Sequence, residues 1–309
     1  HCARFLVPSN NTAMPASDLS HAAVVAWSLG IVSTCSVVAY RVAAAWPQYH
    51  RGVVVPAHRL SVARKLDAMD RLLLGPYAVA VGGLAAVASW GPAFSPDYRD
   101  RWLGSSRASR WCLAVYFAKT TIDSLIQLAT MIWARPGDAN GRLEVLAHHL
   151  VSAACFGYSL LYTRQCEFFG CLAALSEGST LFLNGVMATK LFTGERTPRQ
   201  RLFVAINGVG LWLSYILCRL LVFPFWFWRF FEDLRSHDLS AISTFQLVAY
   251  PVSTACIFLL SCFWFVLITR GLLKALKPPT TDKKRDSSDA VSSGGDDNGG
   301  SSSGRAAAA

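Results

Sequence analysis

Charged side chains are scarce in this sequence of 309 residues. They account for 16% of the chain, and hydrophobic residues account for 53%, whereas a soluble domain carries about 25% charged residues. The low charge content therefore excludes an ordinary soluble domain and indicates a membrane protein. Zinc-finger and RNA-binding motifs are also absent. We therefore attribute the formal net charge of +10 to membrane orientation and expect no nucleic-acid partner.

Cysteine pairs of the Cys-x-x-Cys type are missing, although the chain has nine cysteines. Most of them, such as Cys155 and Cys171, lie inside apolar runs. We interpret them as small packing residues rather than as a disulfide framework or a zinc site. The His-x-x-x-His spacing of a helical metal site is absent as well, so the sequence predicts no metal and no cofactor.

Long apolar runs are abundant. Seven of them are long enough to cross a bilayer of about 30 Å, and each is expected to be a helix because a helix satisfies its own backbone hydrogen bonds in lipid. The sequence thus predicts an all-α polytopic bundle of about seven transmembrane helices around a lipid-accessible cavity. The predicted spans are 22–45, 72–90, 111–133, 144–163, 166–188, 202–228 and 244–273.

Basic residues crowd the loops after the first, fifth and last spans. Seven spans place these three regions on one side of the membrane, which is then cytosolic. The second loop is an exception, with four arginines between residues 99 and 110 on the far side. The basic residues are Arg51, Arg59, Arg64, Lys65 and Arg71; Lys190, Arg196, Arg199 and Arg201; and Arg270, Lys274, Lys277, Lys283, Lys284 and Arg285.

Composition divides the chain into four parts. Residues 1–21 form a lumenal or extracellular segment with a glycosylation sequon at Asn10, and residues 22–59 hold the first span and its basic loop. Residues 60–275 hold the other spans, and the polar residues 276–309 predict a disordered cytosolic tail. The aromatic run 223–231 is interpreted as an interfacial belt.

Polar residues inside the fifth span are the main functional signal. Glu177 lies at bilayer depth, where an ionisable side chain costs at least about 2.5 kcal/mol and usually has a functional role and a partner. Thr180 and Asn184 follow at i+3 and i+7 and share its helix face. This face is expected to point into the bundle.

Other spans also carry polar groups. The fourth contains His148 and His149, whose side chains point about 100° apart, so the two imidazoles cannot have the same role. Ser152 follows them one helical turn later. The third contains Lys119 and Asp123 at a spacing that allows an ion pair. Arg219 in the sixth span is either a counter-ion inside the bundle or a snorkelling side chain.

Two interpretations of these groups stay open. A histidine in a lipid-filled cavity can act as a general base or nucleophile for acyl transfer, with a carboxylate orienting it. Alternatively, His148, Glu177 and Asn184 form a buried polar network that fixes helix packing. In that network Glu177 has a partner, so Glu177→Ala is expected to lower protein abundance more than the combined change of His148 and His149 to alanine does.

The order of these motifs resembles the TLC domain (TRAM, Lag and CLN homology) across about residues 60–275. The resemblance is closest to small TLC-domain-containing membrane proteins of the transmembrane-protein-56 type, except that Leu181 stands where their motif has proline. The matching residues are Tyr116-Phe117, Asp123, His148-His149 with Ser152, the run from Glu177 to Asn184, and Arg219.

The resemblance implies a lipid-accessible helix bundle, membrane lipids as partners and a role in lipid homeostasis. Ceramide synthases are the enzymatic branch of the family, and their histidine pair is catalytic. Their downstream His-Asp and further Asp are absent here, where residues 174–179 read Ala-Leu-Ser-Glu-Gly-Ser.

Two hypotheses follow from this resemblance. The first is a non-catalytic protein that binds lipid or adjusts membrane lipid composition through Asp123, Ser152, Glu177, Thr180, Asn184 and Arg219. The second is an acyl-CoA-dependent N-acyltransferase that uses His148 and His149, with acyl-CoA and a sphingoid base as partners. The resemblance favours the endoplasmic reticulum or another endomembrane, with the plasma membrane as an alternative.

Overall fold

The computed structural model describes residues 20–50, 53–56, 58, 60–133, 142–192 and 197–276. The sequon at Asn10 and the predicted tail from residue 277 lie outside the described residues. Almost all of the described chain is helical, as the sequence predicts. The helices are α1 His21–Ala45, α2 Val62–Phe94, α3 Tyr98–Trp102, α4 Arg107–Trp133, α5 Arg142–Tyr158, α6 Glu167–Ala174, α7 Thr180–Phe192, α8 Pro198–Tyr215, α9 Val222–Ser236 and α10 Thr244–Leu276.

Among the described residues of the spans, three irregular helical turns extend or join the α-helices. A π-helical turn, Ser159–Thr163, extends α5, and a 3₁₀ turn, Leu175–Ser179, joins α6 to α7. A second π-helical turn, Ile216–Leu221, joins α8 to α9. Each predicted span therefore corresponds to a helix or to helices joined end to end. The protein is an all-α polytopic membrane helix bundle.

Six helical stretches within the described residues are long and apolar enough to cross a membrane. The third predicted span, α4, has the necessary length, but its polar residues lower its hydropathy. Two predicted boundaries were wrong. α2 begins at Val62 rather than near residue 72, and the α8–α9 span ends at Ser236 rather than near residue 228. The start of α2 and the end of α9 contain charged residues that are helical, and a prediction from hydropathy alone leaves such residues out of the span.

Local sequence signals begin several helices. The hydroxyl of Ser20 accepts a hydrogen bond from the Ala23 N–H at the start of α1. The hydroxyl of Ser61 accepts from the Arg64 N–H at the start of α2. Such caps satisfy N–H groups that have no partner inside the helix.

The first basic loop contains a hairpin that the sequence analysis did not predict. Strands β1, Gln48–His50, and β2, Val53–Val55, pair antiparallel with Gln48 opposite Val55. The Gln48 side chain is fully buried. The hairpin packs against α7.

The interpretation of the aromatic run 223–231 as an interfacial belt was wrong for three of its seven aromatic residues. Phe223, Trp226 and Phe230 are almost fully buried. Trp226 and Phe230 pack in one core with Trp102 and Phe169, and the Phe223 ring packs against Phe258 of α10. Their i, i+3, i+7 spacing places them on one face of α9. Trp228 and Phe231 on other faces are exposed.

At the end of the bundle where α1 begins, two buried carboxylates form hydrogen bonds with residues of other elements. The Asp233 carboxylate accepts hydrogen bonds from Arg101 Nε at 2.7 Å, Arg101 Nη2 at 2.5 Å and Trp102 Nε1 at 2.8 Å. These hydrogen bonds raise the pKa of Arg101 above its usual value, so the guanidinium stays charged. Arg101, one of the exceptional arginines of the second loop, is therefore a packing residue and does not mark orientation.

The second carboxylate at this end is Glu167, which is fully buried at the start of α6. It accepts hydrogen bonds from the hydroxyls of Ser105 and Ser109 and lies 3.4 Å from His21 Nε2. The start of α1, the loop before α4 and the start of α6 are thereby joined. The opposite end, where α5 begins, contains the histidine pair.

Candidate functional site

The polar interior of the bundle is centred on Lys119 of α4. Its side chain is buried, and Nζ lies 2.5 Å from Asp123 Oδ2 and 2.9 Å from Asp70 Oδ1. The Lys119–Asp123 pair expected from the sequence is therefore formed. Asp70 was missed because the second span was predicted to begin after it. The Tyr77 ring of α2 lies 5.6 Å from the same ammonium group.

The two histidines of α5 face different neighbours, as their adjacent positions require. His149 interacts electrostatically with Lys119 and Asp70, whereas His148 interacts electrostatically with Arg219. Their ring centroids are 5.6 Å apart. Neither imidazole forms a hydrogen bond with a described residue, and His149 Nδ1 is buried without a partner.

Ser152 lies one turn further along α5. Its side chain is 4% exposed and lies beside the Tyr116 hydroxyl of α4. Tyr116 is buried and interacts electrostatically with both Glu177 and Arg219. Tyr116 thus lies between Glu177 of the fifth span and Arg219 of the sixth span.

Glu177 occupies the 3₁₀ turn of the fifth span and is 9% exposed. Its carboxylate forms no hydrogen bond or ion pair with any residue that the structure describes. Its electrostatic neighbours are Tyr77, Tyr116 and Asp123. A buried acid that lacks a protein partner is rare and calls for an explanation.

Asn184 is buried on the same side of the fifth span. Its Nδ2 donates to the Arg71 carbonyl of α2 at 2.8 Å, and its Oδ1 is buried without a partner in the described chain. Thr180 between them is half-buried. Glu177 and Asn184 both face α2, in agreement with their spacing. The hydrogen-bonded network of His148, Glu177 and Asn184 is not formed, however, because the Asn184 amide bonds α2 instead.

Arg219 lies in the π-helical turn of the sixth span and is 8% exposed. Its Nε donates to Ser179 Oγ at 3.1 Å and its Nη1 to Ser261 Oγ at 3.4 Å. Its guanidinium carbon lies 5.1 Å from the centroid of the Tyr215 ring. Arg219 therefore points into the bundle and does not snorkel to the surface.

The two irregular turns that carry Glu177 and Arg219 pack against each other. A Cβ added to Gly178 would lie 3.3 Å from Cys218 Sγ, and one added to Gly82 would lie 3.5 Å from the Gly178 Cα. Small residues at these positions allow close helix approach. Departures from α-helical geometry often mark functional sites, because they redirect side chains and backbone carbonyls.

A shallow apolar groove lies elsewhere, on the outer face of α1. Its lining shares no residue with the interior polar site, so the groove carries none of the candidate chemistry. Among the described residues, no group of three or more histidine, cysteine, aspartate or glutamate side chains is arranged to hold a metal ion. The groove is lined by Ala26, Trp27, Gly30, Ile31, Thr34 and Cys35.

Several known proteins are similar to this chain in sequence. TLC domain-containing protein 4-B of Danio rerio is 26% identical over 144 residues, which are 47% of this chain and 52% of that protein. TLC domain-containing protein 4 of Xenopus tropicalis is 27% identical over 133 residues, 43% of this chain and 50% of that protein. The chain thus matches about half the length of these relatives.

A longer and weaker match extends the similarity. TLC domain-containing protein 4-B of Xenopus laevis is 21% identical over 231 residues, covering 71% of this chain and 79% of that protein. No solved structure matches the chain. The sequence profile of the TLC domain matches residues 77–270, which is more than half of the chain and includes the interior polar site from Tyr77 onward. The resemblance seen in the motifs is therefore confirmed, and the chain belongs to the TLC-domain family.

Proposed function

We propose that this TLC-domain membrane protein binds a lipid within its helix bundle and thereby adjusts membrane lipid composition, without catalysing a reaction. The observation that carries the proposal is the buried Glu177 carboxylate, which has no hydrogen-bonding partner among the described residues. A polar lipid head group that donates hydrogen bonds would satisfy it.

Two further unpartnered atoms support a ligand in the same interior. His149 Nδ1 and Asn184 Oδ1 are both buried and unbonded. Leaving a buried polar group unsatisfied costs about 1–3 kcal/mol. These two atoms and the Glu177 carboxylate favour a ligand that hydrogen-bonds them.

The outer surface of the bundle is apolar, as contact with lipid tails requires. Large apolar side chains are exposed along the spans, for example Leu125 and Ile132 of α4 and Leu150 and Val151 of α5. These surfaces contact lipid tails in a membrane. A lipid can therefore keep its tails among neighbouring lipids while its head group enters the polar interior.

We assign the lipid-binding unit to residues 60–275 and the membrane to the endoplasmic reticulum or another endomembrane, with the C-terminus in the cytosol. The unit begins before residue 77, where the match to the TLC-domain profile starts, because Asp70 of helix α2 pairs with Lys119 of the polar interior. The orientation rests on the basic residues of the first and fifth loops.

Combined replacement of His148 and His149 by alanine tests the proposal. Because neither imidazole has a hydrogen-bonding partner in the described chain, the double variant is expected to keep near-normal abundance while the cellular lipid profile shifts. Quantitative immunoblotting and lipidomics in cells that lack the endogenous protein measure both quantities. A wild-type lipid profile at normal abundance would show that the pair has only a packing role.

A second candidate function is favoured by one observation, the electrostatic interaction of His149 with Asp70, which opposes the larger effect of Lys119 on the same imidazole. A carboxylate near an imidazole can orient it and stabilise its cation, as acyl transfer by a histidine base requires. This candidate is the acyl-CoA-dependent N-acyltransferase. Acyl-CoA consumption by purified wild-type protein, together with its loss in the double histidine variant, would establish it in place of the non-catalytic function.

A further inference from the structure

Arg219 is a buried cation without a neighbouring anion. It lies about midway along the sixth span, which runs from Pro198 to Ser236, and is 8% exposed. A charge at this depth normally pairs with an opposite charge. No carboxylate of the described chain forms an ion pair with it.

The hydrogen-bonding capacity of Arg219 is only partly used. A guanidinium has five N–H donors, and the structure pairs two of them, one with Ser179 Oγ and one with Ser261 Oγ. The Tyr215 hydroxyl also lies near the guanidinium, and no carboxylate of the described chain accepts from the remaining donors on Nη1 and Nη2. The two hydroxyls and the Tyr215 ring hold the planar group in place, so its free N–H groups are preorganised for a ligand.

α10 buries a polar face, and one residue of this face, Ser261, contacts Arg219. Gln246, Tyr250, Thr254 and Ser261 lie on one face of this helix and are all at most 5% exposed. Large apolar residues such as Leu259 are exposed on the other face. α10 therefore turns hydrogen-bonding groups toward the interior, where Arg219 also interacts electrostatically with His148.

We propose that Arg219 binds the acidic head group of a lipid, a carboxylate or a phosphate, inside the bundle. This inference rests on the proposed lipid-binding function and specifies its ligand class. A guanidinium and an oxyanion form two parallel charge-assisted hydrogen bonds. The bound oxyanion supplies the countercharge that the described protein does not place beside Arg219.

Glu177 is the competing countercharge, since it lies two residues from Ser179. It does not pair with Arg219, and its electrostatic neighbours Tyr77 and Tyr116 belong to α2 and α4. In a 3₁₀ turn, positions i and i+2 point in directions about 120° apart. Ser179 and Glu177 therefore face different neighbours, and Glu177 does not supply the countercharge of Arg219.

Photoactivatable lipids test the inference with the wild-type full-length chain in phosphatidylcholine nanodiscs. The probes are a diazirine fatty acid and its methyl ester, and a diazirine phosphatidic acid and the matching diacylglycerol. Mass spectrometry maps labelled peptides of the sixth span and α10. At least one acidic probe is expected to label the interior about tenfold more strongly than its neutral counterpart, because two charge-assisted hydrogen bonds are involved.

Variants assign this preference to Arg219. Arg219→Gln is expected to abolish it without lowering labelling by the neutral probes, whereas Arg219→Lys is expected to keep part of it. Ser261→Ala, which removes one orienting hydroxyl, is expected to weaken acidic labelling about two- to threefold. Thermal unfolding of each purified variant reports folding. If Arg219→Gln does not fold, the inference is tested by the comparison of acidic and neutral probes on the wild type and by the labelling of Ser261→Ala.

The outcomes separate this inference from the function on which it rests. Preference for the fatty acid alone identifies a carboxylate, and preference for phosphatidic acid alone identifies a phosphate; either result supports the inference. Equal interior labelling by acidic and neutral probes overturns the inference but leaves lipid binding intact. A preference for acidic probes that is absent from the wild type and present only in Glu177→Gln has the same consequence. Labelling restricted to the outer surface contradicts lipid binding itself, and the inference with it.

Discussion

Lys119 shows what sequence spacing can predict about a single residue and what it cannot. The i, i+4 spacing predicts the pair with Asp123, and this pair is formed. The second partner, Asp70, comes from another helix, 49 positions earlier in the chain. No local pattern links the two residues, so only the packing of α2 against α4 identifies the partner.

This arrangement predicts how strongly the two acids support the fold. The double variant Asp70→Asn with Asp123→Asn leaves the buried Lys119 without an anion, and we expect it to lower the free energy of unfolding by about 3–5 kcal/mol. Each single variant keeps one anion, so each is expected to lower it by less than half as much. Thermal unfolding in detergent, read by size-exclusion chromatography, measures the differences.

The matched control is Asp67→Asn on the same helix. Asp67 pairs with Arg71 at 3.3 Å on the exposed surface, where such pairs contribute about 0–1 kcal/mol. Its loss is expected to change stability by less than about 0.5 kcal/mol. Equal losses from Asp67→Asn and from the double variant would contradict the buried role of the Lys119 pairs.

Glu177 marks the limit of residue-level reasoning. Its burial and its shared face with Asn184 follow from the sequence, but the expected partner does not appear in the described chain. Removing Glu177 therefore leaves no protein group unsatisfied, and the argument that Glu177→Ala lowers abundance no longer holds. The sequence cannot show this, because the direction of the Asn184 amide depends on where α2 runs.

At the scale of the element, the apolar runs of the sequence correspond to the long helices, although the hydropathy of α4 is too low for a membrane span by that criterion alone. The apolar core of α2 begins near residue 72, while the helix itself begins ten residues earlier, at Val62. The 3₁₀ turn at Glu177 and the π-helical turn at Arg219 were not predicted. Such turns arise from contacts between spans and leave no hydrophobic periodicity to detect.

Close packing between α7 and α8 gives a prediction for this scale. A Cβ added to Gly210 would lie 2.5 Å from Phe182 Cδ1, so the ring or the helix must move. We expect Gly210→Ala to lower the free energy of unfolding by about 1–3 kcal/mol, as overpacking does. Thermal unfolding of the purified variant measures the loss.

Gly208→Ala is the control for this prediction, on the same helix. A Cβ at Gly208 meets nothing within 4 Å, so the substitution removes a glycine from a helix without a clash. It is expected to be neutral or to stabilise by up to about 1 kcal/mol. Similar destabilisation by both substitutions would indicate that helix contact at Gly210 is not the cause.

At the scale of the whole molecule, the basic loops predict one orientation, in which the C-terminal tail is cytosolic. Burial of Arg101 with Asp233 strengthens this argument, because it removes one of four arginines that pointed the other way. Epitope tags after residue 276 and near Asn10, with selective permeabilisation, are expected to place the tail in the cytosol and Asn10 on the opposite side. A tail that is accessible only from the lumen would contradict this orientation.

An experimental structure of the purified chain in lipid nanodiscs tests the central claim, lipid binding inside the bundle, most directly. The account predicts non-protein density inside the bundle, within hydrogen-bonding distance of Glu177 or Arg219 and continuous with an acyl chain that reaches the lipid-facing surface. An interior filled by protein side chains alone, with Glu177 and Arg219 paired to protein groups and no such density, would contradict it.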